Sequence, residues 1–267
     1  MTTGTAPSLP AALRLIRRAL DRLFRRRHSR SLSKGFYPQV PSCQIPELSF
    51  LLERVFGRTE AGTFVEVGAN DGLSHSNSWG LAERSWTGLY IEPDPELARA
   101  CSINHKMHPE VRVINLAAGP PGVQIADLHR AGALSTLSSE MYSVYQNVSW
   151  ARHSLSADVI KVRVETLDTI LQTNHIQTDF ELLIVDTEGF EEEVFEGFSL
   201  SHWRPKAIIV ELVDLHPDLQ ERHKTDSRMY LWLLSMGYIA IYKDAINTFL
   251  VDEQVYRARV RELAEQA

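Results

Sequence analysis

A chain of 267 residues, 44% apolar and 23% charged, has the core-forming capacity of one large α/β domain, or of one domain with appendages. Its two cysteines, Cys43 and Cys101, are far apart and lack a C-x-x-C pattern, which argues against a disulfide framework or a thiolate zinc site and fits a reducing compartment. No apolar run approaches the ~20 residues of a membrane-spanning helix. The net charge of −6 is unevenly spread: residues 1–34 hold nine Lys/Arg and one Asp, so the remainder is strongly acidic and would repel nucleic-acid phosphate.

In the basic arm, Leu9, Leu13, Ile16, Leu20 and Leu23 recur at steps of four and three, with Arg14, Arg17, Arg18, Arg22 and Arg25 on the rest of the helix. Such a helix can lie on an anionic membrane surface, here through residues 9–30, or dock on a partner or on the acidic body. No continuous apolar stretch follows the charges as in a secretory signal. The expectation is therefore a cytoplasmic protein, peripheral at most to the inner face of the membrane. A polar linker leads to "ELSFLLERVFG", an amphipathic helix stopped at Gly57. The chain divides into the arm (1–34), a linker and N-terminal helix (35–60), a main domain (61–253) and a helical tail (254–267).

The main domain alternates. "TFVEVG" reads as strand, "SNSWGLAERSW" as helix, "GLYIEP" as strand, "DPELARACSINH" as helix and "VRVINLAAG" as strand. Residues 120–160, rich in Ser, break the rhythm. It resumes with "IKVRVETLDTIL", a strand running into a helix, then "FELLIVDTEGFEEEVFEG", "KAIIVELV", "SRMYLWLLSMG" and two closing strands around "DAIN". Runs such as "LLIV" suit strands covered on both faces, and the alternation implies right-handed crossovers in a doubly wound, mostly parallel sheet. The closing strand pair requires one antiparallel strand.

Ligands of such sheets sit beyond the strands' carboxyl ends, at the point where strand order reverses. In "FVEVGANDG", Gly68 and Gly72 permit a tight turn and close ligand approach, and Asn70 tolerates the left-handed backbone that a glycine would otherwise supply. Glu92 ends the second strand in "YIEPDP", twenty residues past Gly72, where a carboxylate can accept both hydroxyls of an adenosyl ribose. A pyrophosphate would need the bare amides of G-x-G-x-x-G; this loop instead supplies Glu66 and Asp71. Those acids suit the sulfonium and ammonium of S-adenosylmethionine.

A second constellation follows the "LLIV" strand: Asp186, Glu188 and Gly189, then Glu191, Glu192 and Glu193 in a first helical turn that complements the helix dipole. Glu211 interrupts the next strand, with Asp214 and His216 just beyond. Asp186, Glu188, Glu211 and His216 are the candidate catalytic residues. They could deprotonate an acceptor hydroxyl or hold a divalent metal that lowers its pKa, and no ligand spacing selects between these. His75, past the first turn, is a further candidate base.

"FVEVGANDG", "GLYIEPDPE", "VETLDTIL" and above all "LLIVDTEGFEEEVFEG" resemble the FkbM-type methyltransferases, over about Thr63 to Asp252. The resemblance implies a class I, Rossmann-like fold with a seven-stranded sheet and a terminal antiparallel strand. It implies that Glu66, Gly68, Asn70 and Glu92 line the donor site and that Asp186 and Glu188 belong to the shared motif. Asp71 and Gly72 join the donor set from the turn itself. Glu66 stands where the family often has Asp. The function expected is S-adenosylmethionine-dependent O-methylation of a sugar, glycan or related natural product. The alternatives are a donor-binding module without turnover, or an NAD-dependent oxidoreductase. The partner expected is a small-molecule or glycan acceptor, with no nucleic acid.

Overall fold

The computed structural model describes residues 35–265, so the arm expected at 1–34 lies outside the described residues. In chain order the elements are α1 (Leu48–Phe56), β1 (Thr63–Val67), α2 (Trp79–Ala82), β2 (Thr87–Ile91), α3 (Pro95–Asn104), β3 (Val111–Ile114), β4 (Ala117–Ala118), β5 (Ile125–His129), α4 (Ser139–Asn147), β6 (Val159–Glu165), α5 (Leu167–Thr173), β7 (Leu182–Val185), α6 (Glu191–Glu196), α7 (Leu200–Trp203), β8 (Ala207–Glu211), α8 (His223–Ser235), β9 (Tyr238–Lys243), β10 (Asn247–Asp252) and α9 (Glu253–Glu265). Seven strands form one sheet in the order β3-β2-β1-β7-β8-β10-β9. Strands β1, β2, β3, β7 and β8 pair in parallel, and β10 runs antiparallel to both β8 and β9. This is the mostly parallel, doubly wound sheet expected. The antiparallel strand is last in the chain, yet it inserts between β8 and β9 instead of forming the edge.

Strand order reverses between β1 and β7, so the crevice of an open sheet falls beyond these two carboxyl ends. Both faces must be covered because the strand interiors are apolar throughout. On one face Val65, Leu89, Leu183 and Ile208 pack under Leu167 of α5 and Leu233 of α8. On the other, Phe64, Tyr90, Ile184, Ile209 and Phe249 pack with Leu48 and Leu52 of α1. The segment before β1 is thus half of the core's roof. The Tyr37 hydroxyl donates to Gly57 O (3.0 Å) and the Trp86 indole to Thr59 O (3.1 Å), fixing its path.

Two expectations are corrected locally. Of "SNSWGLAERSW" only Trp79–Ala82 is helical. The Ser76 hydroxyl takes the amides of Ser78 (3.2 Å) and Trp79 (3.1 Å), a local bond that competes with helix, and Ser85 turns left-handed at φ 58°. "VRVINLAAG" is two strands in two sheets. β3 closes the main sheet, whereas β4 pairs with β6, which pairs with β5, in a separate three-stranded sheet. Residues 117–165 therefore form an insertion of three strands and α4, with Leu128, Val162 and Val164 as its own small core. No helix among the described residues is long and apolar enough to cross a membrane.

Candidate functional site

The turn after β1 is built from local bonds. The amides of Gly68 and Ala69 donate to Ile91 O at 3.0 and 3.2 Å, tying the turn to the end of β2. Gly68 has φ 82°, and a Cβ there would lie 1.7 Å from the Asp186 carbonyl oxygen, so only glycine fits. Asn70 adopts φ 51° and so occupies the left-handed position. Its amide donates to Glu92 Oε2 (2.8 Å), while Glu92 Oε1 accepts from the Asp94 amide (2.8 Å). Each oxygen keeps a second lone pair for a ligand hydroxyl. Burial pushes the Glu92 carboxyl up to about 8.

Glu66, also buried, accepts from the Ser78 hydroxyl, which pairs in turn with the Tyr90 hydroxyl at 2.7 Å. Burial, with the Asp186 charge adding to it, raises Glu66 to about 8. Glu66, Gly68, Asn70 and Glu92 all line the cleft, and so does His75. Asp71 and Gly72 do not. Asp71 Oδ1 accepts from the amides of Leu73 (2.9 Å) and Ser74 (2.6 Å), and Oδ2 from the Ser74 hydroxyl (2.8 Å). Burial alone would raise its pKa, but these bonds outweigh it and the carboxyl sits below its ordinary value. Gly72 backs onto Cys101 and His105, whose atoms a Cβ would meet at 2.6 and 2.8 Å. The structure places both residues in the turn's own framework.

Across the reversal point, the register Val185↔Val210 brings Asp186, one residue past β7, beside Glu211 at the end of β8. Glu188 follows in the left-handed region at φ 54°. Residues 186–189 are held from two sides. Glu191 Oε1 accepts from the Thr187 amide (2.8 Å), the Thr187 hydroxyl (3.0 Å) and the Gly189 amide (3.2 Å), so this acid ties the loop in addition to complementing a helix dipole. From the insertion, the Thr136 hydroxyl donates to Glu188 O (2.8 Å), the Tyr145 hydroxyl to the Glu188 carboxylate, and Met141 packs where a Gly189 side chain would stand.

Asp186, Glu188 and Glu211 each present a carboxylate oxygen within 4.8 Å of the others. Burial raises Asp186; burial and then the neighbouring charges push Glu188 and Glu211 well above the carboxylate range. Asp186 Oδ2 accepts from Gln44 Nε2 (3.0 Å), and Gln44 Oε1 accepts from Asn77 Nδ2 (2.8 Å). His216 is not brought to this cluster. Its Nδ1 accepts from the Asp218 amide (3.2 Å), and its ring lies 5.8 Å from that of Trp150, which lies 6.0 Å from that of Tyr145. His216 thus packs with Trp150, whose other ring neighbour, Tyr145, is the residue bonded to Glu188.

Gln44, Thr136 and Tyr145 were not expected as site residues. Only Tyr145 left a trace, since Met141 and Tyr145 are spaced i, i+4 and share one helix face.

The cleft between the two carboxyl ends encloses about 830 Å³ including its open mouth. Four of its lining residues are acids (Glu66, Glu92, Asp186 and Glu188), and none of the lining residues is Lys or Arg. With no cation there a diphosphate's charge would go uncompensated, whereas a sulfonium and an ammonium need none and gain from each acid that ionises. The residues present fit S-adenosylmethionine.

No curated protein sequence matches this chain. Solved structures similar to it include monomeric WbdD, 16% identical with a TM-score of 0.42 over 79% of this chain and 41% of that one. The O-methyltransferase TomG from Streptomyces achromogenes, involved in tomaymycin synthesis and solved with S-adenosylmethionine, is 14% identical with a TM-score of 0.44, covering 92% of this chain and 91% of that one. An O-methyltransferase from Bacillus cereus with S-adenosylhomocysteine is 15% identical with a TM-score of 0.42, covering 91% and 90%. The family model of the methyltransferase FkbM domain matches residues 66–240, most of the chain and both walls of the cleft. The chain belongs to the FkbM family of methyltransferases and is an S-adenosylmethionine-dependent methyltransferase.

Proposed function

We propose that the protein is an O-methyltransferase that transfers the donor methyl group to a hydroxyl of a sugar, glycan or related natural-product acceptor. The observation that carries this reading is the Asp186–Glu188–Glu211 cluster at the strand ends, two of its members lining the cleft. The donor's sulfonium supplies a methyl group already activated for displacement, so alignment accounts for much of the acceleration. An alcohol also has to lose a proton, for which carboxylates at the reacting end of the cleft are available bases. Glu66 and Glu92 complement the donor's charge and ribose, and Asp186, Glu188 and Glu211 receive the proton. Burial raises all three, and repulsion adds to it at Glu188 and Glu211, so each, once ionised, is a stronger base than an ordinary carboxylate.

The test is methyl transfer from labelled donor to panels of sugars, polyketide alcohols and lipid-linked glycans, with wild type and Asp186→Asn. Transfer to a hydroxyl, lost in the variant while S-adenosylhomocysteine still binds, supports the reading. Full turnover by Asp186→Asn at unchanged donor affinity would remove Asp186 from the chemistry. Residues 9–30 further suggest, by their basic amphipathic pattern, peripheral contact with anionic membranes. Deletion of residues 1–34 should then abolish binding to anionic liposomes; persistence of binding would exclude the arm.

A further inference from the structure

Row by row across the sheet, the polar residues at its carboxyl end follow a single line. The parallel register of β7 with β8 sets Asp186 beside Glu211, and the antiparallel register of β8 with β10 sets Glu211 directly opposite Asn247. Directly paired residues project to the same face. Asp186, Glu211 and Asn247 therefore stand side by side on three adjacent strands, with Glu188 reaching the same point from its loop.

The bonding of this row is incomplete in one direction. One oxygen of Asp186 is committed to Gln44 and one of Glu188 to Tyr145. Glu211 is only 9% exposed, and its buried Oε2 has no hydrogen-bond partner. Asn247 is 1% exposed, and neither end of its amide is partnered. Buried polar atoms are rarely left so, and leaving one unsatisfied costs roughly 1–3 kcal/mol. Here several lie together beside three carboxylates. None of the cleft's lining residues is a Lys or Arg that could neutralise them.

We infer that Asp186, Glu188, Glu211 and Asn247 form a binding site for a hard divalent cation such as magnesium or manganese. The donor set is all oxygen, as such ions require, and carboxylates with an amide carbonyl are their usual protein ligands. Ions bound at about 2.0–2.6 Å from each oxygen set their ligands at separations comparable with the 4.8 Å limit within which the three carboxylate oxygens fall. Asp186 and Glu188 line the cleft, which gives the ion an entry path. Gln44 and Tyr145 are the outer partners that orient two of the carboxylates. A cation here deepens the proposed O-methylation, on which this functional consequence rests, because coordination lowers the pKa of an acceptor hydroxyl.

The experiment titrates the full-length protein with Mn²⁺, followed by electron paramagnetic resonance of the free ion. Donor binding is measured in parallel by calorimetry with S-adenosylhomocysteine. One manganese per chain is expected, displaced by magnesium and weakened roughly tenfold or more in the isosteric Glu211→Gln and Asp186→Asn variants. A variant counts only if it still binds S-adenosylhomocysteine, and the pair of variants guards against one that fails to fold. No manganese bound at millimolar concentration overturns the inference, as does equal binding by both variants. Either result with intact donor binding leaves the methyltransferase reading standing, since that fails only if methyl transfer to hydroxyls is absent.

Discussion

The wall of the cleft formed by residues 66–78 closes largely on near neighbours: Asn70 on Glu92, Asp71 on Ser74, Glu66 on Ser78. The opposite wall depends on residues far away in sequence. Glu188 is held by Tyr145 and Thr136, and Asp186 by Gln44, 142 positions earlier. The insertion is itself docked on the main domain, where Arg130 pairs with Asp94 (2.7 Å) and Glu96 (2.8 Å) of the segment after β2. One wall is a turn whose backbone demands specific residues. The other is an assembly whose acids have no fixed position until several segments meet.

If the turn is the rigid wall, the largest effect should come from Gly68→Ala. The new methyl group collides with the Asp186 backbone at a positive φ, and destabilisation of about 3 kcal/mol or more is expected in urea unfolding, with loss of donor binding. A stable, donor-binding variant would show that the turn gives way. On the assembled wall, Tyr145→Phe removes one hydroxyl from a carboxylate and leaves the ring in place. Its expected result is a kcat lowered roughly tenfold or more, with S-adenosylhomocysteine affinity changed by less than about twofold. If affinity falls as much as turnover, the insertion shapes the donor site as well.

A pH series separates the walls next. Glu66 and Glu92 titrate near 8 in the folded chain against an ordinary 4.5, so the folded state holds more protons between those values. Stability from these groups is full below about 4.5 and is lost as pH rises toward 8. The melting temperature without ligand should fall across that window. Affinity for cationic S-adenosylmethionine should rise as pH passes through about 8, where these acids ionise in the folded chain, and more than affinity for S-adenosylhomocysteine, which lacks the sulfonium. Equal slopes for both ligands would disconnect the acids from the donor's charge.

The smallest effect is expected from Asn70→Gly. Glycine adopts the same backbone without strain, so stability should change by less than about 1 kcal/mol, while donor affinity falls severalfold through loss of the side chain lining the cleft. Unchanged affinity would reduce Asn70 to a steric substitute for glycine.

Much of this protein could be read before folding. The order of strands and helices follows from apolar runs and stops. Asp186 and Glu188 stand out because an acid directly after "LLIV" has no reason in a buried strand. Glu92 stands out by its distance from the first turn. Asp71 and Gly72 looked equivalent to their neighbours, because sequence does not say which way a turn residue faces. His216 looked close to Glu211, five residues away, but it engages the Asp218 amide and the Trp150 ring and stays outside the carboxylate group. Residues 120–160 gave no usable pattern, since β5 is largely exposed with a weak apolar period, whereas β6 was legible as the strand in "IKVRVETLDTIL".

By itself the sequence determined which backbone positions must turn, which strands need cover on both faces, and where acids terminate those strands. These are local consequences of side-chain shape, glycine freedom and apolar periodicity. The tertiary structure alone decided which acids share a site. It set Glu211 against Asp186 and Asn247 through strand register, brought Gln44 and Tyr145 onto the carboxylates, and kept His216 apart. Such pairings depend on strand order and on chain segments up to 142 residues apart, and periodicity carries no record of either.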